Sequence, residues 1–217
     1  VMGQRHYDIG NDKLPSVTTI LSNTQSEEKK ESLARWKQNV GENEADRVRD
    51  QAAERGSIMH RIIESYILGE KHADLSDVGM QAGEMAKIVF DEGLRGSMEE
   101  IWGSEVTLYY PGLYAGATDL CGIYENRESI VDFKQSNKPK RREWIEDYFT
   151  QLVAYAMAHN YVYDTNIDQG VILMCTKDNY FQKFVIQGPE FNRYVWKWLR
   201  RVDKFYKNQA SGATLNR

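Results

Sequence analysis

The chain has 217 residues, of which 41% are hydrophobic and 28% charged, with only 4 prolines. That is enough for one buried core and excludes collagenous, coiled-coil or wholly disordered chains. The formal net charge of −4 and a pI near 5.7 argue against coating nucleic acid through bulk charge, yet leave room for a local basic groove. With a mean hydropathy of −0.64 and no apolar run near the ~18 residues a span requires, a membrane protein is not expected. The opening VMGQRHYDIGND has neither the apolar stretch of a secretory signal nor the character of a transit peptide, which predicts a cytoplasmic protein. Cys121 and Cys175 lie in apolar contexts (DLCGI, ILMCT) and are read as two buried thiols. Two cysteines cannot supply the four thiolates of a usual iron-sulfur cluster, so no such cluster is expected and any metal must rest on O and N ligands.

Residues Glu27 to Glu54 mix charges of both signs with sparse apolar positions, which suits partly exposed helices. Ala53 to Leu68 carries Ile58, Met59, Ile62, Ile63, Tyr66 and Ile67 at helical spacing and ends near Gly69. After Gly103 the rhythm turns to β-rich runs: Glu105 to Tyr110, Tyr114 to Tyr124 and Ser129 to Lys134, an antiparallel meander. A helix from Glu143 to Asn160 follows, then strands at Gly170 to Thr176 and Tyr180 to Ile186, and a last helix from about Glu190 to Lys207. The order helix, three strands, helix, two strands, helix predicts an α/β fold with a mixed central sheet flanked by helices. No repeat or linker divides the chain. The expectation is a single domain over 1–217, with a helical N-terminal region at 1–55, a core at 56–190 and a C-terminal helix and tail at 191–217.

Asp119 and Asp132 are 13 positions apart across a predicted hairpin, which can bring them together. The strand period of two puts Asp132 and Lys134 on one face. Two carboxylates suit a hard cation such as Mg²⁺ or Mn²⁺, and a nearby ammonium can orient water or offset phosphoryl charge. The same residues also read as an ion pair on a strand. His60 and Glu64 are one helical turn apart and could ligate metal or sit at the core boundary; Gln151 and Tyr155 have the same spacing on the later helix.

The ordered series Gly56-x-x-x-His60, Glu105, Gly116-x-x-Asp119, Asp132-x-Lys134 and Gln151-x-x-x-Tyr155 resembles the PD-(D/E)XK nuclease superfamily, in its RecB-like exonuclease branch. It is most similar to single-domain exonucleases of the mitochondrial genome maintenance type and their bacteriophage relatives. Those carry a segment like Leu14-Pro-Ser-Val-Thr-Thr-Ile-Leu21 and a helix like Leu33-Ala-Arg-Trp36 before the Gly-x-x-x-His helix. Two departures stand out: Thr118, not proline, precedes the first aspartate, and the second acid is Asp where many relatives have Glu.

The resemblance implies a restriction-endonuclease-like core and a metal-dependent DNA exonuclease of phage or microbial DNA degradation, recombination or repair, working on free ends and preferring single strands. It would act in the cytoplasm, that of the host if phage-encoded. It implies Mg²⁺ or Mn²⁺ held by Asp119, Asp132 and His60, with the carbonyl after Asp132 completing the shell. Lys134 would position the attacking water, Glu105 would make a second metal or water contact, and Gln151 and Tyr155 would face the nucleic acid. Two basic groups fit a phosphate track: Lys138, Lys140, Arg141 and Arg142 after the catalytic strand, and Lys197 and Arg201 on the terminal helix. A structure-specific endonuclease of the same fold and a catalytically silent DNA-binding subunit are the alternatives.

Overall fold

A computed structural model describes residues 5–10 and 12–214. The two ends of the predicted 1–217 domain, including the first four residues of the polar opening stretch, therefore lie outside the described residues. The chain runs β1 (His6–Ile9), β2 (Asp12–Pro15), α1 (Val17–Asn23), α2 (Glu27–Val40), α3 (Glu42–Leu68) and α4 (Asp77–Ile88), the last continuing into a π-helical turn at Val89–Leu94. It goes on through β3 (Met98–Tyr110), β4 (Tyr114–Tyr124), β5 (Arg127–Ser136), a 3₁₀ turn at Arg142–Trp144, α5 (Glu146–Tyr163), β6 (Gln169–Thr176), β7 (Phe181–Gln187) and α6 (Gly188–Thr214).

Five strands form one sheet in the order β3-β4-β5-β6-β7, antiparallel except where β5 and β6 run parallel. The parallel step needs a crossover, and α5 supplies it. This is the mixed sheet flanked by helices expected from the element order. The β4 strand has the predicted bounds, while β3 begins earlier, at Met98, because irregular pairing with register shifts hides its period. The β1-β2 hairpin, which lies within the region 1–55 expected to be helical, and α4 were not foreseen. Among the described residues, no helix is long and apolar enough to cross a membrane.

Each face of the sheet carries its own core. On one side Leu108, Tyr114, Ile172 and Met174 pack with α1, α5 and α6 through Ile20, Phe149, Leu152, Tyr194 and Trp198. On the other, Leu120, Val131, Phe133 and Leu173 pack with α3 and α4 through Ile58, Met59, Ile63, Met85 and Val89. The alternation in β5 thus follows the predicted period, with Val131 and Phe133 on the α3 side. Both cysteines are buried and free, as expected.

Helix α2 buries no residue, and Leu33, Trp36 and Val40 are all exposed. The predicted charged, partly exposed helices are therefore α2 and the first half of α3. Helix α3 ends where Gly69 adopts the left-handed conformation (φ 70°) that lets its N–H reach back to the carbonyls of Ser65 and Tyr66.

Candidate active site

The site forms where β4 and β5 part. Their pairing ends at Leu120 opposite Val131, and one residue further Asp119 Oδ2 accepts the backbone N–H of Phe133 at 2.8 Å. A carboxylate thus replaces a strand carbonyl in the ladder, which fixes Asp119 beside Asp132. Lys134, two residues along the same face of β5, places Nζ 2.5 Å from Asp132 Oδ2 and donates to Gln151 Oε1 at 3.0 Å. Gln151 Nε2 in turn donates to the Tyr155 hydroxyl at 2.9 Å. A chain of contacts therefore runs from Asp132 through Lys134 and Gln151 to Tyr155. The Tyr148 ring lies 4.9 Å from Lys134 Nζ and shields it further.

Helix α3 brings His60 from the other side of the sheet. His60 Nε2 donates to the Phe133 carbonyl at 2.8 Å, which leaves Nδ1 facing Asp119 Oδ1 at 3.4 Å. That carbonyl is the oxygen expected to complete a metal shell, and here it orients the histidine ring. The glycines of the two motifs make this assembly possible by what they lack. A Cβ at Gly56 would press on Gln135 Cγ at 3.2 Å, and one at Gly116 would meet the Tyr155 ring at 2.7 Å.

Glu105 joins the cluster through an unusual backbone. It has φ +49°, the left-handed region, within strand β3. One ligand atom from each of His60, Glu105 and Asp119 lies within 4.8 Å of the others. Asp132 is outside that trio because its carboxylate leans to Lys134, yet all four line one cavity of about 230 Å³ with Lys134, Gln151 and Tyr155. Left-handed strain at a non-glycine residue costs about 1–2 kcal/mol and persists where the surroundings hold it. Glu105→Gly should therefore raise the melting temperature by a few degrees while lowering metal-supported activity, whereas Glu105→Gln should lower activity without the gain in stability. Thermal melts of the two variants check this, and a glycine variant that melts below the parent removes strain from the account.

Electrostatics set these groups apart from ordinary surface acids. Burial, partly offset by Lys134, pushes the Asp132 carboxyl up to about 6. Burial would also depress His60, but the Asp119 carboxylate outweighs it and holds the imidazole up to about 9. For the same reason Asp119 stays below the ordinary carboxylate range despite its burial. Burial and the charge of Asp119 raise Glu105. The donor set of three carboxylates and one imidazole fits a divalent cation of the Mg²⁺ or Mn²⁺ kind. Asp132 Oδ2 supports that fit: it is buried, and its contact with Lys134 is off the hydrogen-bonding axis, so it lacks an aligned donor.

The other expected residues divide. Tyr155 is only 4% exposed and serves Gln151 inside the wall of the site. Glu64 does not line the cavity. In the first basic group, the main chain of Lys140 is pinned to Gln182 in both directions, while neither its ammonium nor that of Lys138 has a hydrogen bond or ion pair among the described residues. Arg142 is engaged instead, by Glu190 at 2.6 Å and the Val185 carbonyl at 2.6 Å. On α6, Lys197 pairs with Glu146, and Arg201 bonds Thr24, Asp147 and the Leu21 carbonyl, tying α6 to α1 and α5. Neither lines the cavity of the acidic cluster.

Sequence reasoning missed Arg5, Tyr7, Ser16 and Thr18, which border the cavity from the β1 to α1 region. The Pro-Ser-Val-Thr segment was visible, but no periodicity assigned its hydroxyls a place. It also missed Arg55, one turn before His60. This buried guanidinium bonds the side-chain carbonyls of Gln135, Gln81 and Asn137, so it joins α3 to the end of β5.

No protein-family profile matches the chain. Over 215 residues it is 26% identical to mitochondrial genome maintenance exonuclease 1 of Xenopus tropicalis, an alignment covering 93% of this chain and 60% of that protein. The human protein is 26% identical over 212 residues, with 91% and 60% covered. These likenesses support a RecB-like PD-(D/E)XK nuclease family for the chain. The chain spans about 60% of the length of these relatives. Among solved structures, a putative exonuclease from Eubacterium rectale superposes with a TM-score of 0.49 at 18% identity, covering 71% of this chain and 64% of the other.

Proposed function

We propose that the protein is a divalent-metal-dependent DNA exonuclease that hydrolyses phosphodiester bonds from free ends, prefers single strands, and serves DNA degradation, recombination or repair. One observation carries this reading: Asp119, Asp132, Glu105, His60, Lys134 and Gln151 come from five separate elements and converge on one cavity. The 26% identity to exonucleases over nearly the whole chain supports it.

Asp119, Asp132, Glu105 and His60 Nδ1 would hold the cation. When bound, it supplies Lewis acidity toward phosphate and water oxygens. The Phe133 carbonyl keeps the His60 ring turned so that Nδ1 faces inward. Lys134, steadied by Gln151, presents its ammonium protons to a water or to a non-bridging phosphate oxygen, where charge grows in the transition state. Lys138 and Lys140 stand just beyond β5, on the path a backbone would take out of the site.

The test is incubation with end-labelled linear single strands, linear duplex and circular single strands under Mg²⁺, Mn²⁺ or EDTA. Mononucleotide or short products from linear single strands, with circles intact and EDTA silent, are expected. Degraded circles would establish the endonuclease alternative, and no cleavage of any substrate the binding-subunit alternative.

A further inference from the structure

Helix α5 presents Gln151 and Tyr155 to the site, and a 3₁₀ turn at Arg142–Trp144 leads into it. Tyr148, Gln151 and Tyr155, at spacings of 3 and 4, share one face of α5, and Trp144 stands on the 3₁₀ turn. The inner three are accounted for: Tyr148 covers Lys134, Gln151 bonds it, and Tyr155 bonds Gln151. Trp144, by contrast, has 60% of its surface exposed.

The turn that carries it is held on both sides. Arg142 is clamped by Glu190 and Val185, and Ile145 is 2% exposed in the core. The Trp144 N–H closes the turn on the Arg141 carbonyl at 3.0 Å, and the Arg141 guanidinium sits 5.2 Å from the indole ring. A large aromatic surface is thus displayed on a rigid support at the end of the basic segment Lys138 to Arg142. Beside it opens a cavity of about 580 Å³ between the start of α2 and the start of α5. Its walls are rich in carboxylates. Asp147 is paired with Lys29 and Arg201 and Glu146 with Lys197, but Glu28 and Glu143 also line the space. Such a cavity suits uncharged bases, while phosphates follow the lysines.

We propose that Trp144, with Arg141 over its ring, is a stacking platform for an unpaired nucleobase of the strand that extends from the active site. The proposal rests on the nuclease reading and specifies its substrate: a duplex keeps its base faces covered, so a platform of this kind favours single strands. It also gives Arg141 a role apart from Arg142, which holds the turn in place.

The test measures binding of a fluorescein-labelled single-stranded thymidine oligonucleotide, and of the same oligonucleotide with a run of abasic positions, in an Asp119→Asn background that prevents cleavage. Stacking energies per base correspond to a loss of about 5- to 100-fold on removing an aromatic ring. Trp144→Ala should weaken binding of the thymidine strand by that factor, and Trp144→Phe should restore most of it. The abasic strand should bind the parent weakly and be indifferent to Trp144→Ala. Because the residue is exposed, unchanged melting of Trp144→Ala is expected and verifies that the comparison is between folded proteins. Equal affinity of parent and Trp144→Ala for the thymidine strand overturns the proposal, as does an equal loss on both strands, which would mean a backbone contact. A folded parent that binds neither strand refutes the nuclease reading itself, and this inference with it.

Discussion

Asp119→Asn is expected to lower cleavage at least about a thousandfold while leaving the fold intact. The change removes a full charge from a residue that faces His60 Nδ1 at 3.4 Å and shares a cavity with Asp132 and Glu105. Loss of about 4 kcal/mol of charge stabilisation corresponds to that factor. The structural role of the side chain survives, because an asparagine Oδ1 can still accept the Phe133 N–H. The lost ion pair with His60 is offset by reduced repulsion from the neighbouring carboxylates, so melting should shift by no more than a few degrees. Single-turnover cleavage at saturating Mn²⁺, alongside thermal melts, measures both. More than a tenth of parental activity in the variant would remove Asp119 from the catalytic group.

Lys134→Met should damage stability and turnover together, and the structure explains why one residue does both. Its ammonium is 2.5 Å from a carboxylate that is 2% exposed. Removing one partner of a buried pair strands the other charge, at a typical cost of about 3–5 kcal/mol. Protonation offers Asp132 a partial escape, since burial already raises it to about 6. A loss of about 3 kcal/mol would lower the melting temperature by roughly 6–12 °C for a chain of this size. Turnover should fall at least a hundredfold as well, because the donor aimed at phosphate or water is gone. The double variant Lys134→Met with Asp132→Asn should melt above Lys134→Met alone, since the stranded charge is removed, and should remain inactive. If Lys134→Met melts like the parent, the pair is not buried in solution; if it keeps full turnover, the ammonium serves stability alone.

The α5 and α6 ends of the molecule show how position in sequence can mislead about charge. Arg201 and Lys197 read as phosphate contacts because basic residues recur at helical spacing on α6. The folded chain uses them to join elements instead: Arg201 reaches Thr24, 177 residues away, and Asp147. Nothing local signals such a partner. Arg142 is absorbed in the same way by Glu190, whereas Lys138 is exposed and Lys140 half-buried, their ammonium groups unpaired among the described residues.

What the sequence determined by itself is local and periodic. The two-residue period of β5 put Asp132 with Lys134, and the hairpin spacing put Asp119 across from them. The order of helices and strands implied the mixed sheet, and the residue types implied hard-cation chemistry. These follow from short-range geometry, in which each strand or turn constrains its neighbours within a few residues. Tertiary structure decided the rest. It set α3 against β5 so that His60 Nε2 meets the Phe133 carbonyl, held Glu105 at a positive φ no local preference would choose, and buried Arg55 against three amides. It also left Trp144 uncovered on a fixed turn beside a cavity. Each of these depends on packing between segments tens of residues apart, where the energy comes from burial and partner geometry that no window of sequence contains.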